Sequence, residues 1–302
     1  MNKSIFIVGP TCAGKNDFAY ELSKYFNFEI INSDSMQVYK QLRVLTNRPT
    51  DKELKVVPHH LYGHINNQEY SVNHWIKEVK QILQNIYNRN KIPVFVGGTG
   101  FYIQSIIEGL SEMPSINQKY KQDAENFFLK KGSDFCLDLL SKYYKKEVFP
   151  KDKQRLINRL AFCLEHNDIM ENHFSKKIPV TPNPLVIQVV KPKRELYELA
   201  ENRFHKMIED GALDEVKKLY ETNKISKTLY KAHGLPELLA CIRNKVSLED
   251  AIHDGIHNTK RYIKRQFTWW NNQKFSSLNL RINYKKSFPK DSIENISIYL
   301  NK

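Results

Sequence analysis

The stretch Ile5-Phe6-Ile7-Val8-Gly9-Pro10-Thr11-Cys12-Ala13-Gly14-Lys15-Asn16 passes from an apolar run through a glycine-bounded loop into an amphipathic segment. Strand, loop and helix in that order make a cradle for a polyphosphate. Loop N–H groups point inward, the helix N-terminus adds partial positive charge, and Lys15 supplies a point charge for the terminal phosphates. The spacing from Gly9 to Gly14-Lys15 matches the P-loop pattern, which closes on Ser or Thr, and here Asn16 takes that place. Its amide oxygen can still ligate Mg²⁺, directly or through water.

Working outward, residues 28–34 form a second β-prone run, and Ile92-Pro93-Val94-Phe95-Val96 a third before Gly97-Gly98. Between them Ser71 can cap a helix whose apolar residues Trp75, Ile76, Val79, Ile82, Leu83 and Ile86 recur at helical spacing. This alternation predicts an α/β fold, a P-loop-type parallel sheet flanked by helices, with ligands outside the carboxyl ends of the strands. Gly14, Asp34 and Thr99 then share one rim. From about 116 to 178 the texture turns Lys-rich and helical, before another β run at 185–190. The sequence therefore predicts a core of residues 1–115 and 180–302 and a helical insertion domain over 116–179. Past Lys193 it reads as helical, with a stop at Gly211 and a long helix from Ser247 to Gln273 opened by a Ser247-to-Asp250 capping box.

A chain of 302 residues with 41% hydrophobic content can bury a large core. It has no charged leader before an apolar run, and no stretch approaches the roughly 18 uninterrupted apolar residues of a membrane span. A cytoplasmic enzyme is expected. Cys12, Cys136, Cys163 and Cys241 are far apart and show no zinc or disulfide spacing, so reduced thiols are expected. The net charge of +14 is uneven, with an excess of +2 through residue 113 and +12 after it. A field of that size attracts a polyanion, and nucleic acid is the leading partner, although lysine enrichment can also serve solubility alone.

Asp34, just after a strand, can accept a proton or orient an amine; it can equally ligate Mg²⁺ or cap the next helix. Gly97-Gly98-Thr99-Gly100 allows close backbone approach and offers the Thr99 hydroxyl, or is a tight turn. The strand before it lacks the terminal acid expected of an ATP-hydrolysing P-loop protein. Lys260, Arg261, Lys264 and Arg265 fall on one helical face and Ile256, Ile263, Phe267 and Trp270 on another, so one face can pack while the other meets phosphates or solvent. Arg155 and Arg159 stand one turn apart, and Arg203 reads by itself as an ordinary helix arginine.

Taken together, these segments resemble the tRNA dimethylallyltransferase, or tRNA isopentenyltransferase, family over nearly the whole chain. The resemblance is carried by Gly9 to Lys15, Asn32-Ser33-Asp34-Ser35 with Val38-Tyr39, Pro58-His59-His60-Leu61 and Tyr70-Ser71. It continues through Ile92-Pro93 to Gly97-Gly98-Thr99, Glu108-Gly109-Leu110-Ser111, Gln154-Arg155-Leu156, and Arg261 to Trp269. Departures are Asn16, the segment Leu45-Thr46-Asn47-Arg48-Pro49, Lys121 where Arg is common, Leu199 in place of an Arg, and His233-Gly234-Leu235-Pro236.

The resemblance implies transfer of a dimethylallyl group from dimethylallyl diphosphate to the exocyclic N6 amine of the adenine just 3′ of the tRNA anticodon, releasing diphosphate. It implies diphosphate binding by Gly9 through Asn16, catalytic roles for Lys15, Asp34, Thr99 and Arg203, and Mg²⁺ held at Asn16. It further implies contacts to the tRNA anticodon stem-loop from Asp34, Ser35, Met36, Gln37, Thr99, Lys121, Gln154, Arg155, Leu156, Ile157, Asn158, Lys260, Arg261, Lys264 and Arg265. A monomer with no membrane attachment is expected. The rival readings are a small-molecule P-loop kinase, which would consume ATP and ignore RNA, and a tRNA-binding protein whose catalytic site has decayed.

Overall fold

The computed structural model describes residues 3–111, 115–144, 152–273, 275, 278–284 and 290–301. The chain forms two compact units, Met1–Glu108 with Pro179–Lys302, and Gly109–Ile178.

The larger unit is built on strands β1 (Ile5–Val8), β2 (Phe28–Asn32), β3 (His59–His60), β4 (Ile92–Gly97), β5 (Leu185–Val189) and β6 (Leu278–Ile282). All pair in parallel in the order β3-β2-β4-β1-β5-β6. The helices are α1 (Lys15–Leu22), α2 (Asp51–Leu54), α3 (Val72–Asn88), α4 (Gly100–Ile107), α5 (Gln118–Ser141), α6 (Lys153–His166), α7 (Lys193–Glu209), α8 (Ala212–Glu221), α9 (Leu235–Ile242), α10 (Leu248–Asn272) and α11 (Lys290–Asn301). Helices α5 and α6 belong to the smaller unit, the rest to the larger.

The central strands are buried on both faces, as continuous apolar runs such as Ile5-Phe6-Ile7-Val8 require. Phe6 of β1 stacks on Phe95 of β4 in register, with ring centroids 4.4 Å apart. One core lies under Trp75, Phe95 and Phe204, and the other under Phe18, Phe28 and Ile263. Helix α3 begins where the spacing predicts: the Ser71 hydroxyl accepts the His74 N–H, and His74 answers from the side chain. The Ser247 cap of α10 is only the forward half of the expected box. Its hydroxyl accepts the Asp250 N–H and donates to the Asp250 carboxylate, because Asp is one methylene too short to reach back as Glu does.

Two strands lie where the sequence reading had none. β3 is only two residues long, and β6 alternates Leu280, half-buried, with exposed Asn279 and Arg281. Both are edge strands, which need less apolar sequence than the centre. In the smaller unit α5 bends at Gly132, whose φ of +85° breaks the helical path, and packs with α6 around Cys136, Leu140, Leu156 and Leu160. Among the described residues no helix is long and apolar enough to cross a membrane.

Candidate active site

The carboxyl ends of β1, β2 and β4 open into a cavity of about 610 Å³ within the larger unit. The loop after β1 forms its floor. Gly9 has φ +142°, and a Cβ there would stand 2.4 Å from the Val189 carbonyl oxygen, so only glycine lets the loop leave the sheet at this point. Gly14, left-handed at φ +91°, turns the chain into α1. Thr11, Cys12, Gly14, Lys15 and Asn16 all face the cavity.

The Lys15 ammonium donates to the Pro10 carbonyl oxygen at 2.8 Å. Burial pulls its pKa down to about 8, opposed by the charge of Asp34 and, more weakly, of Cys12, and assisted by the nearby Arg203 cation. Arg203 reaches in from α7, and its buried Nε has no hydrogen-bond partner. A lysine and an orphaned guanidinium N–H in one cavity fit an anionic ligand.

Asp34 sits two residues past β2 in a turn that its neighbours fix. The buried Asn32 amide donates to the Asp34 and Leu61 carbonyl oxygens, its oxygen accepts the Asp34 N–H, and the Trp75 indole caps the Asn32 carbonyl. The Asp34 carboxylate in turn accepts the Met36 N–H at 2.9 Å. Thr99, at the start of α4, accepts the Ser35 N–H at 3.0 Å, so its hydroxyl binds the two rims together. Gly97 packs against Ser33 so closely that a Cβ would lie 2.4 Å from the Ser33 backbone. Ser35, Met36 and Gln37 continue along the wall, Gln37 donating to the Thr46 carbonyl.

The far wall is aromatic and cationic. His233 and Tyr262 lie ring to ring, 4.2 Å between centroids, and the Arg265 guanidinium lies 5.6 Å from the Tyr262 ring centroid. Burial, with the cations Arg265 and Arg203, depresses His233 to about 4, which keeps it neutral. Arg265 belongs both to this cavity and to an adjoining groove of about 690 Å³ that holds Arg261, Lys264 and Trp269. The cationic face of α10 is therefore continuous with the cavity. Lys260 differs from its three neighbours: it is ion-paired to Glu201 of α7 at 2.6 Å, a partner that spacing along α10 could not reveal.

In the smaller unit Lys121, Gln154 and Arg155 are exposed and Asn158 is half-buried. Leu156 and Ile157 point into that unit's core, so their side chains are unavailable to a ligand. Arg159 is likewise structural, bonded to Glu171 at 2.7 Å.

Sequence reasoning places Asn32, Tyr262 and Gln266 within segments that carry the resemblance but gives none of them a role in the site. Thr259 and Gln266 both fall on the stripe 256, 259, 263, 266, 270 that α10 buries. An amide on an otherwise apolar face was the available signal.

Two family models match the chain: IPP transferase over residues 37–273 and Isopentenyl transferase over residues 2–63. A tRNA dimethylallyltransferase of Ehrlichia ruminantium is 33% identical over 90% of this chain and 93% of its own length. One from Wolbachia sp. subsp. Drosophila simulans is 36% identical over 90% and 94%. Among solved structures, the full-length tRNA isopentenylpyrophosphate transferase of Bacillus halodurans superimposes with a TM-score of 0.70 at 28% identity, covering 100% of this chain and 96% of that one. A eukaryotic dimethylallyltransferase acting on tRNA gives 0.79 at 26% identity, covering 100% and 79%.

Proposed function

The chain belongs to the IPP transferase family, and from that membership we propose that it transfers a dimethylallyl group from dimethylallyl diphosphate to the N6 amine of the adenine 3′ to the tRNA anticodon. The observation that carries the reading is a single cavity joining a phosphate loop, an unpartnered arginine N–H and a carboxylate to a cationic helix face. ATP chemistry needs the first of these features but not the last.

In this reading the loop grips the diphosphate. The adenine N6 lone pair attacks the allylic carbon, the carbon–oxygen bond breaks, and diphosphate departs with the bonding electrons. Lys15, Arg203 and the free loop amides stabilise that growing charge, and Asp34 orients the amine and takes its proton. The target base must leave the anticodon stack to enter, at a cost of a few kcal/mol. Contacts from Arg261, Lys264 and Arg265, and from Lys121, Gln154 and Arg155 of the smaller unit, offset it. Thr99 acts by holding Ser35, and so the turn that carries Asp34. The Asn16 amide oxygen, lining the cavity beside Lys15, fits a hard cation that brings its own waters and phosphate ligands. Mg²⁺ there would supply charge neutralisation on the leaving diphosphate. The reading has the enzyme act as a monomer in the cytoplasm, alongside its tRNA substrate.

The test is incubation of the purified protein with labelled dimethylallyl diphosphate and unmodified tRNA carrying adenine at that position. Label in the RNA is the expected result; no label at saturating substrate overturns the reading.

A further inference from the structure

The phosphate loop and the Gly97-Gly98 turn are held together by a residue that does not line the cavity. Gln266 of α10 is 6% exposed. Its Oε1 accepts the Thr11 N–H at 2.9 Å, and its Nε2 donates to the Gly98 carbonyl oxygen at 2.9 Å. A Cβ on Gly98 would stand 2.6 Å from that nitrogen and 3.1 Å from the Gly9 carbonyl oxygen. Tyr262, one turn earlier on the same helix, lines the cavity. One buried side chain thus bridges the phosphate loop and the turn after β4. It does so from between Arg265, which lines the cavity and the cationic groove, and Phe267.

We propose that Gln266 is a positioning residue: it sets the spacing between the phosphate loop and the turn behind Asp34, and it makes Thr11 N–H a strut of the loop instead of a ligand to diphosphate. This rests on the prenyl-transfer reading for its substrate, but the strut itself is independent of which phosphate binds. Because the bridge comes from α10, RNA seated on that helix bears on the loop through it. No sequence window could show this, since Thr11 and Gln266 are 255 residues apart. The chemistry requires an amide: a carboxylate would accept from Thr11 but oppose the Gly98 carbonyl, and an apolar side chain would strand both backbone groups.

Gln266→Met keeps the length and removes the amide, Gln266→Glu keeps the bond to Thr11, and Gly98→Ala pushes the amide away without touching Gln266. Removing the bridge should raise KM for dimethylallyl diphosphate about tenfold, the loss expected when one buried hydrogen-bonding group is stranded. In Gln266→Met and Gly98→Ala the Thr11 amide should exchange faster with solvent, and Kd for tRNA should stay within about threefold, below the cost of one base contact. Gln266→Glu should restore the slow exchange of Thr11. The double variant Gln266→Met/Gly98→Ala should be no worse than the worse single one, because both break one bridge. A KM and a Thr11 exchange rate unchanged in both single variants overturn the proposal. So does a loss of tRNA affinity equal to the loss for the diphosphate, which would mean general damage. If Gln266→Met does not fold, Gly98→Ala decides alone by the same two readouts. If the wild-type protein labels no tRNA, the functional reading falls while Thr11 exchange still judges the strut.

Discussion

Lys15 offers the sharpest quantitative test of the site, because its charge is set by a balance that can be titrated. With a pKa of about 8 in place of 10.5, keeping the ammonium charged in the empty cavity costs about 3 kcal/mol relative to water. A bound diphosphate reverses that balance and holds the proton on. Binding above pH 8 must therefore take up a proton, and the apparent Kd for inorganic diphosphate should rise about tenfold from pH 7 to pH 9, as the protonated fraction falls from about nine-tenths to about one-tenth. Isothermal calorimetry in two buffers of different ionisation enthalpy measures both quantities, with close to one proton absorbed at pH 9. Lys15→Arg is the control, since a guanidinium stays charged throughout, and its Kd should be flat over the same interval apart from the ligand's own titration. The sign for stability is the opposite of that for an ion pair. Between pH 8 and 10.5 the unfolded chain holds more protons at this position than the native one, so the apo protein should gain up to about 3 kcal/mol as pH rises through that window. Lys15→Met should raise the melting temperature at pH 7 and abolish that gain. A wild-type Kd that does not change from pH 7 to 9, or one that changes equally in Lys15→Arg, refutes the argument.

Asp34→Asn keeps an oxygen able to accept the Met36 N–H, so it should fold normally and bind tRNA with unchanged Kd while kcat falls roughly 100-fold, the scale of losing a general base; full turnover would remove Asp34 from proton transfer. Gly97→Ala forces a Cβ to within 2.4 Å of the Ser33 backbone, and at about 1–3 kcal/mol for overpacking it should lower the melting temperature by several degrees, which a thermal scan would detect. Asn16→Thr, which restores a hydroxyl at the end of the loop, should lower the Mg²⁺ concentration for half-maximal turnover; an unchanged titration would show that the amide serves equally well. Lys264→Ala should weaken tRNA binding uniformly across sequences and reduce the slope of log K against log salt by about one, whereas Lys260→Ala, already engaged with Glu201, should change it less.

What could be read from the sequence was whatever a short window encodes. The β1 loop, the Ser71 cap, the β4 run into Gly97-Gly98 and the two faces of α10 are local patterns, and each stands at the residues expected. Two of the misses share one physical cause, that the partner is distant in sequence. The Glu201 carboxylate comes to Lys260 from α7, and Thr11 meets Gln266 only after the sheet and α10 have packed. Leu156 and Ile157 are among the tRNA contacts that the resemblance implies, yet their apolar side chains go where burial is most favourable, into the core of the smaller unit. β6 escaped because an edge strand buries one face and its five residues, Leu278 to Ile282, mix Asn and Arg with aliphatics.

The two groups on which the reaction most depends do not act independently. Asp34 is the strongest influence opposing the deprotonation of Lys15, so the carboxylate that receives the amine's proton also helps to keep the diphosphate's lysine charged. Neutralising Asp34 removes that support, and the Lys15 pKa should then fall below its present value while the cavity is empty. In Asp34→Asn, turnover measured at pH 8 or above would therefore combine a lost base with a weakened grip on the diphosphate, and the two effects would show as a fall in kcat and a rise in KM. Lowering the pH separates them: protonating Lys15 should return KM toward the wild-type value and leave kcat depressed. A KM for Asp34→Asn that matches wild type at every pH would mean that the two charges are screened from each other, and the cavity would then be wetter than its buried lysine implies.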